Sequence, residues 1–277
     1  MTEERKERPQ SPQDKAKLEA LKRSWAQKRE MTDRLSHIKT KIGVYSGKGG
    51  VGKTTVAVNL AVTLAQKGYR VGLMDADIDC PNVVKVIAAT QPSTHEDGKF
   101  IPAEAFGVKV MSMAFFQQNE EEAIIWRGPM VHNAINQFLQ TTDWGDLDFL
   151  VVDLPPGTSD APLTVMQTMS LDGFIVVTTP QVLAKLDAKR SLNMIRKLNV
   201  NILGIVENMS GDMFGSGAGE ELAKETDTPF LGRLELRREY RDGSRPTVLL
   251  SKKVGQEYDH IIGNVLPRLE ALKQPAA

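Results

Sequence analysis

The chain has 277 residues, 41% of them hydrophobic and 25% charged, with equal numbers of acidic and basic side chains. That is room for one large α/β domain, and the balance excludes disordered and fibrous classes. Met1–Gln10 is charged and no run of about 18 apolar residues occurs, which argues against a leader or a membrane span and predicts a cytoplasmic protein.

Charge is unevenly spread. Residues 1–41 hold 12 Lys/Arg against 7 Asp/Glu, a balance of +5, and the remainder holds 23 against 28, or −5. The arm reads as a solvated charged face or as a docking arm for an acidic partner. An acidic body gives no support to nucleic-acid binding. The single cysteine, Cys80, permits no intrachain disulfide and no four-cysteine metal site from one chain.

Residues 1–12 are rich in Pro and charge, a composition that predicts disorder. From Asp14 to Arg34 the spacing of Leu18, Leu21 and Trp25 predicts an amphipathic helix that packs on the body or a partner. Residues 1–40 thus form a charged, partly helical arm, and 41–277 a single domain.

Ile42–Ser46 predicts the first strand. It runs into Ser46-Gly47-Lys48-Gly49-Gly50-Val51-Gly52-Lys53-Thr54-Thr55, followed by a helix to about Gln66 that Gly68 ends. Gly47, Gly52, Lys53 and Thr54 fill G-x-x-x-x-G-K-[ST], the phosphate-binding loop. The chemistry needs these types. Glycines turn successive N–H groups onto phosphate oxygens, and the helix N-terminus adds its positive end. Lys53 reaches the β- and γ-phosphates, and the Thr54 hydroxyl ligates Mg²⁺. A glycine-rich turn alone would explain the glycines but not Lys53 and Thr54.

Tyr69–Met74 predicts a second strand that ends in Asp75-Ala76-Asp77, at the edge where open α/β sheets bind ligands. Asp77 could orient a water for attack on the γ-phosphate. The alternative for both carboxylates is to cap the segment at Pro81. Ser93–Ala105 reads as a polar surface loop and Val108–Met113 as a strand, and Trp126-Arg127-Gly128-Pro129 begins a helix to about Gln140 with Pro in its first turn.

Residues 148–157 read Asp-Phe-Leu-Val-Val-Asp-Leu-Pro-Pro-Gly. A near-continuous apolar run ending in Asp is a buried parallel strand that delivers a carboxylate to the phosphate site. Asp153 is then the second Mg²⁺ partner, through water, and Gly157 lets a switch loop approach the γ-phosphate. Gly173–Thr179 predicts a strand, Leu183–Leu198 a helix, and Ile202–Val206 a strand that leads to Glu207-Asn208-Met209. The Asn208 amide can read a base with one donor and one acceptor. The guanine pattern Asn-Lys-x-Asp is absent, so adenine is expected. Gly215–Gly219 reads as a turn before a helix, Thr228–Leu234 as an edge strand, and Val254–Leu269 as a helix with a core-facing stripe. His37, His95, His132 and His260 are scattered without ligand spacing. Strands alternating with helices predict an α/β fold, a single doubly wound domain with a mostly parallel sheet.

Taken together, Gly47–Thr55, Asp75-Ala76-Asp77-Ile78, Trp126–Met130, Val151–Thr158 and Val206–Ser210 resemble the Mrp/ApbC family of P-loop ATPases. That family is a branch of the deviant-Walker group with MinD, ParA and the nitrogenase iron protein. The resemblance covers about residues 40–270. It implies a slow, dimer-dependent ATPase in iron–sulfur cluster assembly or transfer, with ATP and Mg²⁺ as cofactors and iron–sulfur proteins as clients. It further implies catalytic roles for Lys48, Lys53 and Asp77, with Lys48 crossing to the partner's phosphates as an arginine finger does. Gly47, Lys48, Gly49, Gly50, Val51, Gly52, Lys53, Thr54 and Thr55 would bind nucleotide with Asn208 at the adenine; Thr54 and Asp153 would hold the metal.

Relatives carry a cluster on a C-x-x-C pair just after Asn-Met-Ser. Here Ser210–Gly217 contains no cysteine, and two copies bring two thiolates where a [4Fe–4S] cluster takes four. The implied protein acts without a cluster of its own, as a homodimer or as a heterodimer with a cysteine-bearing homologue. Glu235 and Arg237 stand where relatives often have Pro and Asp near the base. The alternative function is a nucleotide-gated positioning switch of the MinD/ParA kind, although the Lys273–Ala277 end lacks the basic amphipathic helix that membrane recruitment needs.

Overall fold

A computed structural model describes residues 35–78, 80–116, 135, 138 and 141–273. The expected arm helix lies outside them, as does the expected helix from Trp126 except for Ile135 and Phe138, which are buried in the core.

Eight strands form one sheet in the order β10-β9-β8-β1-β7-β2-β6-β5. They are β1 (Lys41–Tyr45), β2 (Val71–Asp75), β5 (Ala103–Ala105), β6 (Val108–Met111), β7 (Phe149–Asp153), β8 (Gly173–Thr178), β9 (Ile202–Ser210) and β10 (Phe230–Glu235). Every pairing is parallel except β5 with β6. Placing β1 between β7 and β8 makes it the point where strand order reverses, so the ends of β1 and β7 open onto the ligand edge.

The alternation of side chains along each strand sorts the core into two layers. On β7, Phe149 and Val151 face the layer that contains α1 (Lys53–Gln66), α2 (Val83–Ile87) and α6 (Lys252–Lys273). Leu150 and Val152 face the layer of α3 (Asp160–Thr168), α4 (Val182–Lys197) and α5 (Ala218–Glu225). α1 is buried almost all round from Val56 to Leu64, which is why its sequence shows little amphipathic contrast. It ends as expected, with the Gly68 N–H on Ala65 O at 2.9 Å.

Three sequence expectations change. The polar stretch 93–105 is not an irregular loop: β3 (Thr94–Glu96) and β4 (Lys99–Ile101) make an antiparallel hairpin, and β5 joins the main sheet. Asp97 and Gly98 both have positive φ (48° and 76°), the two-residue D-G turn whose twist matches paired strands. Both strands are only three residues long, and β3 is exposed and polar, so hydrophobic alternation could not reveal the pair. The strand expected over 202–206 runs on to Ser210, because β10 pairs with it as far as the Glu235–Ser210 register. The strand expected to Met113 stops at Met111, and Met113–Phe116 is a 3₁₀ turn. α3 was not foreseen; it is short, follows Gly157-Thr158-Ser159, carries Pro162 in its first turn and has no side-chain cap.

Candidate nucleotide site

The loop after β1 is held by close approaches that only glycine allows. A Cβ on Gly47 would lie 2.2 Å from the Asp187 carbonyl oxygen in α4, and one on Gly52 would lie 2.2 Å from Asn208 Nδ2. Gly52 has φ 81° and precedes α1 without a side-chain cap. The first-turn N–H groups of α1 therefore have no competing carboxylate or hydroxyl cap, the arrangement an anion needs at a helix N-terminus.

Lys53 and Thr54 both converge on Asp153. Lys53 Nζ donates to Asp153 Oδ1 at 2.6 Å, and Thr54 Oγ1 donates to Asp153 Oδ2 at 2.6 Å. The ion pair is buried, with side-chain exposures of 6% and 1%. Three sequence-predicted residues thus meet at one point, an ammonium and a hydroxyl sharing one carboxylate.

Asp75 is the neighbour of Asp153 across the β2–β7 ladder. Its carboxyl accepts from the N–H of Asp77 (3.1 Å) and Val83 (3.1 Å) and from the Ser112 hydroxyl (3.0 Å). Of the two roles open to it, the structure gives the cap. Burial, and then the Asp153 charge, push its pKa up to about 8 against these donors and against Lys53. A neutral Asp75 leaves one carboxylate facing one ammonium, which balances the buried charge.

Asp77 lies half-buried at the same sheet edge, and its Oδ1 accepts the Cys80 N–H at 3.3 Å. Asn208 is buried and donates from Nδ2 to Val51 O at 2.8 Å, tying β9 to the phosphate loop. Lys48 is set apart from this cluster, its Nζ 3.5 Å from Gln181 Oε1 at the start of α4. Beyond the loop, Arg237 pairs with Glu235 at 2.7 Å and with Glu257 at 2.5 Å.

Two residues escaped the sequence reading. Glu207 is fully buried, and its carboxylate accepts the N–H of Gly217 and of Gly219 (2.7 Å) and Arg233 Nε (2.8 Å), so it caps α5. The charge in an apolar strand, E between V and N, was the available signal. Tyr45 is the other, fully buried at the end of β1.

The residues present do not fit an iron–sulfur cluster. Cys80 is the only thiol and is exposed. After β9, Gly211 and Gly215 exchange backbone hydrogen bonds (2.9 and 2.7 Å) to close a tight turn that presents Met213 and Phe214. Among the described residues no three of His, Cys, Asp or Glu gather to hold a metal, and no helix is long and apolar enough to cross a membrane.

A family model described as ParA, NUBPL iron-transfer P-loop NTPase, matches residues 37–266. The iron-sulfur cluster carrier protein of Methanocaldococcus jannaschii is 43% identical over 261 residues, spanning 88% of this chain and 90% of that one. A nucleotide-binding protein from Archaeoglobus fulgidus, solved in complex with ADP, superposes with a TM-score of 0.69 at 33% identity, over 79% of this chain and 91% of that one. The cell division ATPase MinD of Pyrococcus furiosus shares the fold, with a TM-score of 0.66 at 21% identity over 83% and 99% of the two chains. The chain therefore belongs to the NUBPL-type iron-transfer P-loop NTPases, the Mrp/ApbC branch of the ParA-like family.

Proposed function

We propose that this protein binds ATP with Mg²⁺, hydrolyses it slowly as a dimer, and uses that cycle in the assembly or transfer of iron–sulfur clusters in the cytoplasm. The observation that carries the reading is the convergence of Lys53 and Thr54 on Asp153 beneath an uncapped helix N-terminus. Lys53 would exchange the Asp153 carboxylate for phosphate oxygens, a move between two anions. Thr54 and Asp153 would hold Mg²⁺, which neutralises phosphate charge when bound. Asp77 would orient the attacking water, and Lys48, which no buried carboxylate claims, would reach the phosphates of a second copy. Asn208 would release the Val51 carbonyl to face adenine.

The cluster is cargo in this reading. The matched relative named as a carrier supports the link to cluster transfer. The lone, exposed Cys80 supports a chain that works on clusters whose thiolates come from a cysteine-bearing homologue or from the client. The test is anaerobic transfer from a cluster-loaded homologue to an apo-client, followed by recovery of client activity. ATP is expected to accelerate transfer with the wild-type chain and not with Lys53→Ala. Equal transfer rates with and without ATP would refute the coupling.

A further inference from the structure

The segment after β7 does not leave the sheet freely. The Leu154 N–H donates to Val44 O at 3.1 Å and the Gly157 N–H to Ser46 O at 3.0 Å, so residues 154–157 run on beside β1 into the phosphate loop. The Tyr45 hydroxyl donates to the Gly157 carbonyl. Gly157 is therefore held through both of its backbone polar groups, by Tyr45 at the end of β1 and by Ser46, the next residue.

Tyr45 is built into this position. It is fully buried, its ring stands edge-on to Phe174 with centroids 6.5 Å apart, and Gly43 leaves room for Phe174 beneath. The Ser191 hydroxyl, on α4, lies beside the phenol and donates to the Asp187 carbonyl at 3.0 Å. Ser191 Oγ in turn lies 2.7 Å from where a Gly47 Cβ would stand. One phenol thus sits where the loop after Asp153, the start of the phosphate loop and the helix behind it meet, and bonds the first of them. Burial pushes its pKa up to about 12, so it remains a donor throughout the neutral range.

We propose that Tyr45 is a positioning residue that latches the Gly157 loop in the state without γ-phosphate. The proposal rests on the nucleotide reading above, in which Gly157 approaches the γ-phosphate. An N–H committed to Ser46 O cannot donate to a phosphate oxygen, so that approach must lift Gly157 off Ser46, and lifting it draws its carbonyl away from the Tyr45 hydroxyl, which opens the latch. ADP lacks the γ-phosphate and leaves the latch closed. The hydroxyl then acts against ATP alone, which sets the preference between the two nucleotides and the ease of the switch.

The test is Tyr45→Phe, which keeps the ring and its packing, with ADP and a non-hydrolysable ATP analogue titrated in the presence of Mg²⁺. ADP affinity should stay at the wild-type value and ATP-analogue affinity should rise about three- to tenfold, the range one neutral hydrogen bond carries. An unchanged ratio of the two affinities overturns the latch, and so does a fall, which would mean that the hydroxyl prepares the loop for ATP. A wild-type chain that binds neither nucleotide overturns the nucleotide reading and the latch with it. Fluorotyrosine-labelled wild-type protein gives an independent readout if the variant does not fold. Of its four tyrosine resonances, one should shift with the ATP analogue and not with ADP; no such resonance overturns the proposal.

Discussion

Replacing Lys53 with alanine separates the structural and the binding roles of the phosphate-loop lysine. Its ammonium faces Asp153 at 2.6 Å, and both side chains are almost fully buried. Removing one partner of a buried pair leaves an uncompensated charge and destabilises by roughly 3–5 kcal/mol. Thr54 keeps its hydrogen bond to Asp153 and softens that loss. Asp75 adds no second charge while it holds its proton. A loss of about 3 kcal/mol is therefore expected for nucleotide-free protein at pH 7, seen as a fall in Tm of roughly 6–12 °C for a domain of this size. The assay is thermal or urea unfolding without nucleotide, run beside a nucleotide titration in which the variant should not bind. Lys53→Ala/Asp153→Asn should recover part of the stability, since the orphaned charge is gone, but none of the binding. A single variant as stable as wild type, or a double variant whose losses simply add, would refute this account of the pair.

Other outcomes follow from the same geometry. Lys48→Ala should leave nucleotide affinity intact and lower turnover, because Lys48 stands off from the Asp153 cluster; hydrolysis at the wild-type rate would remove its role in the partner's site. Asp75→Asn should alter the pH dependence of stability. The folded acid keeps its proton up to about pH 8 while the unfolded one releases it near the ordinary aspartate value of 3.8. Its contribution is thus complete below that value and is lost as pH rises through the window to about 8. Wild-type stability should fall relative to Asp75→Asn across that window, and parallel curves would exclude a buried acid that holds its proton.

The phosphate loop was legible because its chemistry is local: ten consecutive residues carry the turn, the lysine and the hydroxyl, and the flanking strand and helix are themselves apolar. Asp153 was legible for a related reason, as the polar end of an apolar strand. What connects them was not. That Lys53 and Thr54 share one carboxylate follows from β1 and β7 being neighbours, and strand order is not written in either segment. Asp75 shows the limit most clearly. Its strand-end position is visible in sequence, but the choice between catalysis and capping depends on Ser112 and Val83, which other elements bring to it. Asn208 was expected just past a strand ending at Val206 and lies within the longer β9; its hold on Val51 is a long-range contact that no spacing rule contains. Tyr45 went unremarked because a tyrosine ending an apolar strand reads as core, and its hydroxyl partner lies on another strand's loop. The hairpin at Thr94–Ile101 is the opposite case. Its Asp97-Gly98 turn was present as a local signal and was outweighed by polar composition.

The central claim is that this chain carries a complete ATP site and lacks the ligands for a cluster of its own. Iron, acid-labile sulfide and bound nucleotide, measured on the same sample after anaerobic reconstitution and incubation with Mg²⁺ and ATP, test both halves at once. The account predicts about one nucleotide per chain and no stoichiometric iron or sulfide. A four-iron cluster per pair of chains, or protein that retains no nucleotide, would contradict it.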